Sequence, residues 1–134
     1  MAERIPDAAR KLLQDPNFAM LGTIRKDGTP HVVPTWIDVD GDIVVLNSAE
    51  GRAWVTNVRR DPRITITVPS HENPYEYVEI RGRIVEDTHD GADDHIDAMA
   101  KKYLDQDSYP YRTETEQRVK LRVEPDKVRH AGAG

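Results

Sequence analysis

The chain has 134 residues, enough for one compact domain and too few for two ordinary cores side by side. Its 19 Lys and Arg against 24 Asp and Glu leave a net charge of −5, which disfavours general binding to nucleic acid. The absence of cysteine excludes disulfide scaffolds, thiolate zinc sites, Cys-ligated iron–sulfur clusters and cysteine nucleophiles, but not bound organic cofactors. With 37% hydrophobic and 32% charged residues the core is lean for a free monomer, and dimer formation would bury more. No run approaches the roughly 20 apolar residues of a bilayer span. The opening MAERIPDAARKLL is charged throughout, unlike a secretory signal. The expectation is a single cytoplasmic domain over residues 1–134, with no membrane or nucleic-acid partner and a short flexible tail at 130–134.

In chain order, Ile5, Ala8, Ala9, Leu12 and Leu13 recur at helical spacing, with Pro6 suited to a first turn. Asp15-Pro16-Asn17 stops that helix. An apolar run at 18–24 predicts a strand, and Lys26-Asp27-Gly28 a hairpin turn into a second strand over 31–39. A further turn at 38–42 precedes a third strand at 43–46, completing an antiparallel meander. Residues 49–60 read as a short helix with Ser48 as a possible N-cap, ending against Asp61-Pro62. Alternation at 63–68 and 78–85 gives two more strands, the face Ala92, Ile96, Met99, Ala100 and Tyr103 a helix capped by Asp90, and the alternation at 118–123 a closing strand. About six strands in hairpin-like succession, with helices after the third and before the last, predict an antiparallel barrel rather than a doubly wound sheet. Neither GxGxxG nor GxxxxGK[ST] occurs, so the commonest nucleotide cradles are missing.

The densest chemical signal lies where the third strand meets the following helix, at Asn47, Ser48, Ala49, Glu50, Gly51 and Arg52, followed by Asn57-Val58-Arg59-Arg60. Backbone N–H groups at a helix start attract an anion, Gly51 permits close approach, and Arg52 offers a planar fork for phosphate oxygens. The plainer alternative is a capped helix with solvated arginines. His31, His71, His89, His95 and His130 show no paired metal-ligand spacing, and no G-x-S-x-G frames Ser48 or Ser70, so metal and acyl-transfer chemistry have little support. His95 reads most simply as a solvated surface residue, and His31 as facing either a ligand or a neighbouring side chain. Tyr75 and Tyr77 share one face of an extended segment, which suits either an aromatic ligand or ordinary packing, and Tyr109 and Tyr111 form a second aromatic cluster in a loop.

The ordered succession Leu21-Gly22-Thr23-Ile24, Asp27-Gly28-Thr29-Pro30, Asn47-Ser48-Ala49-Glu50-Gly51-Arg52, Asn57-Val58-Arg59-Arg60-Asp61-Pro62-Arg63 and Glu79-Ile80-Arg81-Gly82 resembles the flavin/deazaflavin oxidoreductases of the pyridoxamine 5′-phosphate oxidase-like superfamily. It is most similar to the actinobacterial branch that uses the deazaflavin coenzyme F420. The resemblance implies a split β-barrel, a homodimer, and two cofactor sites in grooves between the subunits. It further implies that the junction from Asn47 to Arg52 holds the cofactor phosphate, with Arg52 as the main cation and Asn57 and Arg60 in support. The strand carrying His31, Val33, Pro34, Thr35 and Trp36 would line the deazaflavin ring. Two positions depart from the pattern. Trp54 stands where many relatives carry Lys, leaving Arg52 or Arg60 as the phosphate cation. Val33 stands where the vitamin oxidases carry an FMN-binding Arg, which argues against that activity here. The expected function is hydride transfer from reduced F420 to a flat conjugated organic acceptor, with the proton from solvent, His31 or Tyr77. FMN in the same fold, or a non-catalytic flavin- or deazaflavin-binding protein, are the alternatives.

Overall fold

The computed structural model describes residues 2–132. Three helices and seven strands follow one another as α1 (Asp7–Gln14), β1 (Ala19–Ile24), β2 (Pro30–Thr35), β3 (Asp38–Asp40), β4 (Ile43–Ala49), α2 (Ala53–Arg60), β5 (Arg63–Pro69), β6 (Tyr77–Thr88), α3 (Ala92–Leu104) and β7 (Arg118–Ala131). The strands form one antiparallel sheet in the order β2-β1-β5-β6-β7-β4-β3. β2 and β3 are therefore opposite edges, yet only Trp36 and Ile37 separate them in sequence. Three Cα steps span at most about 11 Å, so the sheet must curl until its edges meet at this corner. Away from the corner the edges diverge. The result is a split barrel, mainly β with three helices.

The meander strand expected over 31–39 is thus two strands, and the count is seven rather than about six. The reason lies in the corner's hydrogen bonds. The Ile37 N–H donates to the Tyr103 hydroxyl at 3.1 Å, and the Ile37 carbonyl accepts from Lys102 Nζ at 2.6 Å, so helix α3 takes the backbone groups that a strand neighbour would otherwise satisfy.

Period-two burial fills the barrel. Leu21 of β1, Ile64, Ile66 and Val68 of β5, Val78 and Ile80 of β6, Leu46 of β4 and Leu121 of β7 are all buried in one cluster. Each such side chain contributes about 1.5–3 kcal/mol on leaving water. α1 inserts Ala9, Leu12 and Leu13 and packs across β3, β5 and β6. α2 inserts Trp54, Val55 and Val58 beside β1, while α3 packs outside on β4 and β7. No helix among the described residues is long and apolar enough to cross a membrane.

Other element ends differ from the sequence reading. Ser48 is not a helix cap, because β4 continues through Ala49 with Ser48 buried opposite Val119. α2 starts at Ala53 after a turn in which Gly51 has φ +90°. Gly91, in the left-handed region, rather than Asp90, occupies the N-cap of α3. β7 runs to Ala131, so His130 and Ala131 of the expected tail are in strand, and Ala133 and Gly134 lie outside the described residues. The pairing of β6 with β7 shifts register between Arg81 and Gly82 and between Ile84 and Glu86. Such bulges bend a ladder and let two long strands coil around the barrel.

The turn after β4 is tied down by charge. Arg59 of α2 donates to both Glu50 carboxylate oxygens at 2.7 Å and to Asp87 of β6 at 2.7 and 3.1 Å, while His89 Nε2 lies 2.8 Å from Glu50. Hydrogen bonds from Arg59, then from His89, lower the Glu50 pKa from 4.5 to about 2. Because the folded state holds this carboxylate ionised below its ordinary range, the stabilisation is present above pH 4.5 and is lost as pH falls from 4.5 towards 2. In acid unfolding followed by circular dichroism, Glu50→Gln should therefore flatten the loss of stability across that window and leave its slope near neutrality unchanged. A second test concerns the bulge. A Cβ at Gly82 would sit 2.5 Å from the Glu124 carbonyl oxygen, so Gly82→Ala should lower the stability read from a urea midpoint by about 1–3 kcal/mol.

Candidate functional site

The divergence of the barrel edges opens a cavity of about 400 Å³ between β2 and the far end of β4. Along β2, His31, Val33 and Thr35 alternate with Pro30, Val32 and Pro34, so the half-buried set lines the cavity while Pro30 and Val32 belong to the outer face of the sheet. The two prolines lack an N–H, which keeps this edge strand from recruiting a neighbour. Asn47 and Ser48 lie on the opposite edge, beyond the reach of three-residue β3. Arg52, Ala53 and Trp54, at the start of α2, complete that wall.

Of the residues singled out in the sequence, His31, Val33, Pro34, Thr35, Trp36, Asn47, Ser48, Arg52 and Trp54 come together at this cavity. The others lie elsewhere. Ala49 is buried in β4 opposite Arg118. Glu50 belongs to the Arg59 clamp, and Gly51 makes the turn beside it. Arg60 donates to the Ile24 carbonyl, fastening the end of β1 to α2. Asn57 is buried behind the cavity wall, where its Nδ2 donates to Thr23 Oγ1 at 3.1 Å and lies 3.5 Å from His31 Nδ1. It orients the imidazole. Tyr75 is 86% exposed, and Tyr77 pairs with Pro69 and Ala131 at the end of β6; neither lines the cavity.

The aromatic wall joins Trp36, expected at the site, to Phe18, Tyr103, Tyr109 and Tyr111, which the sequence reading did not place among the site residues. Trp36 stacks on Tyr103 with ring centroids 5.2 Å apart and planes 5° apart. Phe18 tilts against the same tyrosine at 5.7 Å. Tyr109 meets Trp36 edge-on at 6.1 Å, and Tyr111 meets Tyr109 at 5.6 Å. Tyr103 is fixed by donating to the Asn17 carbonyl at 2.7 Å, and burial pushes its hydroxyl up to about 12, so it stays protonated. Beside it, burial pushes the Lys102 ammonium down to about 8. The segment carrying Tyr109 is anchored to α3 through Asp97, which accepts from the Tyr109 N–H at 2.8 Å and from Arg112 at 2.6 Å.

A polar chain runs behind this wall. Asn47 Nδ2 donates to the Ala92 carbonyl at 2.9 Å and to His95 Nδ1 at 3.0 Å, and its Oδ1 accepts from Arg118 Nε at 2.9 Å. On its far side His95 Nε2 lies 3.3 Å from Asp38. Burial opposes ionisation of Asp38, but hydrogen bonds from His95 and the Val39 N–H hold its carboxyl below the usual value. The histidine expected at the surface is largely buried in this relay. Arg118 lines the cavity, as do Phe18, Ala53, Ile96, Tyr109 and Tyr111. Only the tyrosines among these carried a sequence signal, the clustering of two aromatics around Pro110.

On the same wall, Arg52 occupies the N-cap of α2, where no side chain caps the first turn. Its side chain is 57% exposed, with Glu116 no nearer than 3.9 Å. Free N–H groups at a helix start together with an accessible guanidinium suit an oxyanion.

The architecture recurs in proteins of known structure. An F420 reductase from Mycobacterium smegmatis superposes with a TM-score of 0.83 at 26% identity, covering 93% of this chain and 98% of that one. HupZ of Group A Streptococcus (TM-score 0.72, 14% identity, 97% and 96% covered) and General Stress Protein 26 of Bacillus anthracis (0.68, 15%, 92% and 90%) share the fold. No curated protein gives a significant match. The profile of the family described as Pyridoxamine 5′-phosphate oxidase matches residues 5–132. With nearly its whole length matched and a split barrel around the cavity, the chain belongs to the pyridoxamine 5′-phosphate oxidase family and groups with flavin- and deazaflavin-related oxidoreductases.

Proposed function

We propose that the protein is an oxidoreductase that binds the deazaflavin coenzyme F420 in the split between β2 and β4 and passes a hydride to a flat conjugated acceptor. The observation that carries this reading is the joining, in one cavity, of an aromatic and apolar slot with an accessible arginine at an uncapped helix start. A volume of about 400 Å³ falls within the range of small-molecule and cofactor sites, about 300–1,000 Å³. Similarity to an F420 reductase over 93% of the chain favours the deazaflavin over FMN.

In this reading the chain's own residues do the placing. Val33 and Thr35 of β2, with Trp36, flank the ring, and Arg52 with the first turn of α2 receives the phosphate. Arg60 is bonded to the Ile24 carbonyl, so the phosphate role falls to Arg52. The reduced coenzyme supplies the hydride. His31, held from behind by Asn57, is the ring-facing group placed to deliver a proton, and Tyr77, away from the cavity, leaves the mechanism. The outer face of the sheet supports a homodimer. Met20 and Val32 are 38% and 59% exposed there, in a depression shared with Gly22, Thr65 and Thr67, and β2 forms one wall of both this face and the cavity.

Fluorescence titration of the purified protein with F420 and, separately, FMN tests the reading. F420 should bind and FMN should not compete at equal concentration; the reverse order would make this a flavin enzyme, and binding of neither would end the proposal. Arg52→Ala should weaken F420 binding by about 1.5–3 kcal/mol, the range for a hydrogen bond to a charged group. An unchanged dissociation constant would place the phosphate elsewhere.

A further inference from the structure

We propose that Arg118 is the recognition site for a carboxylate on the acceptor, so that the substrate class is a flat conjugated molecule carrying an acidic group. The proposal rests on the redox reading above and concerns a second arginine of the same cavity wall, which shares Glu116 with Arg52.

Arg118 opens β7, opposite Ala49, and is only 8% exposed although it lines the cavity. Two of its three nitrogens are used internally, Nε by Asn47 and Nη1 by Glu116 at 2.6 Å. Nη2 makes no hydrogen bond among the described residues, and no side-chain nitrogen or oxygen there is both sealed from solvent and without a partner. Nη2 is therefore open to the cavity, with two N–H donors free for a ligand.

The local charge points the same way. Glu116 is the one carboxylate within 4 Å of either Arg118 or Arg52 among the described residues. Two guanidiniums facing one carboxylate leave a surplus positive charge, in a chain whose net charge is −5. The arginine is also fixed before any ligand arrives. Asn47 has both amide hydrogens committed to Ala92 and His95, so its Oδ1 faces Arg118, and reversing the amide would set donor against donor at Nε. A cation held in this way loses little side-chain entropy on binding.

Position then selects the ligand's shape. The guanidinium lies 5.1 Å from the centre of the Tyr109 ring, whose edge meets Trp36. A planar molecule against that wall brings a ring-borne carboxylate alongside Nη2, whereas a compact anion without a ring gains only the charge.

Both tryptophans of the chain, Trp36 and Trp54, line the cavity, so their emission reports occupancy without any cofactor. The test compares 2-naphthoate with its neutral isostere 2-naphthamide by quenching, checked by equilibrium dialysis. The wild-type protein should prefer naphthoate about tenfold, the equivalent of one charge-assisted hydrogen bond. Arg118→Gln should bring that ratio close to one. Glu116→Gln, which removes the competing carboxylate and keeps the arginine, should tighten naphthoate several-fold and leave naphthamide unchanged. If Arg118→Gln fails to fold, Glu116→Gln in an Arg52→Ala background decides the matter, because Arg52 also lies 3.9 Å from Glu116 and the tightening should persist without it.

A wild-type ratio near one, or no response of naphthoate to Glu116→Gln, overturns the proposal. So does weaker F420 binding in folded Arg118→Gln, which would assign the arginine to the cofactor instead. If naphthoate selectivity appears while F420 fails to bind, the carboxylate site stands and the redox reading falls. If F420 binds without selectivity, the reverse holds.

Discussion

A link of two residues, Trp36 and Ile37, joins the opposite edges of a seven-stranded sheet, and a connection that short forces the sheet to curl. The corner could not be held by sheet hydrogen bonds alone, since it is where pairing stops. Tyr103 and Lys102 hold it from outside, one bonding the Ile37 N–H and the other its carbonyl. Closure at one point and divergence beyond it are a single constraint. Edges brought together at the corner and separated by the lengths of β2 and β4 leave a cleft, and that cleft is the cavity. The tyrosine that fixes the corner also stacks on Trp36, so closing the barrel and shaping the aromatic wall are one event.

Helix α3 has a correspondingly larger part in the site than its outside position suggests. Tyr103 fixes the corner, Ile96 reaches the cavity, His95 locks Asn47, and Asp97 anchors the segment bearing Tyr109. All four act through contacts on strands or loops distant in sequence. α2 contributes Arg52 at its start and Asn57 behind His31, while Arg59 fastens the preceding turn to β6. The two helices bracket the cleft, and each brings an arginine to it or steadies one, directly or through Asn47.

Much of this fold was legible because period-two burial leaves a plain trace. β5 alternates Ile64, Ile66 and Val68 with Arg63, Thr65 and Thr67, and the structure buries the first set and exposes or half-buries the second. The break between β2 and β3 left no such trace, since 31–39 is rich in strand-forming residues and its cause lies in α3, 65 and 66 residues on in the chain. The alternation that predicts β7 covers only 118–123, and the strand continues through Glu124-Pro125-Asp126. In the sheet, Pro125 pairs with Gly82 at a bulge, where a missing N–H is tolerated. At the site, the β4–α2 junction is legible from its own residues and β2 through the resemblance, whereas Arg118 is hidden because an arginine opening an alternating strand reads as a solvated end.

The different settings of the two cavity-facing arginines explain how an acidic chain can offer anion sites without becoming a general anion binder. Arg59, Arg63, Arg83 and Arg122 all lie in ion pairs with carboxylates, so their charge is locally offset. Arg52 and Arg118 share one glutamate, and they differ in setting. Arg52 is accessible at a helix start, where water screens it and a mobile phosphate can reach it. Arg118 is buried beside aromatic rings, where a charge is felt more strongly and an unmatched partner costs more. A neutral ring against the Trp36–Tyr109 wall would leave the Nη2 donors unanswered, and a ring bearing a carboxylate would satisfy them. Discrimination at Arg118 follows from burial more than from charge count, so the same arginine placed at the surface would attract anions without choosing among them.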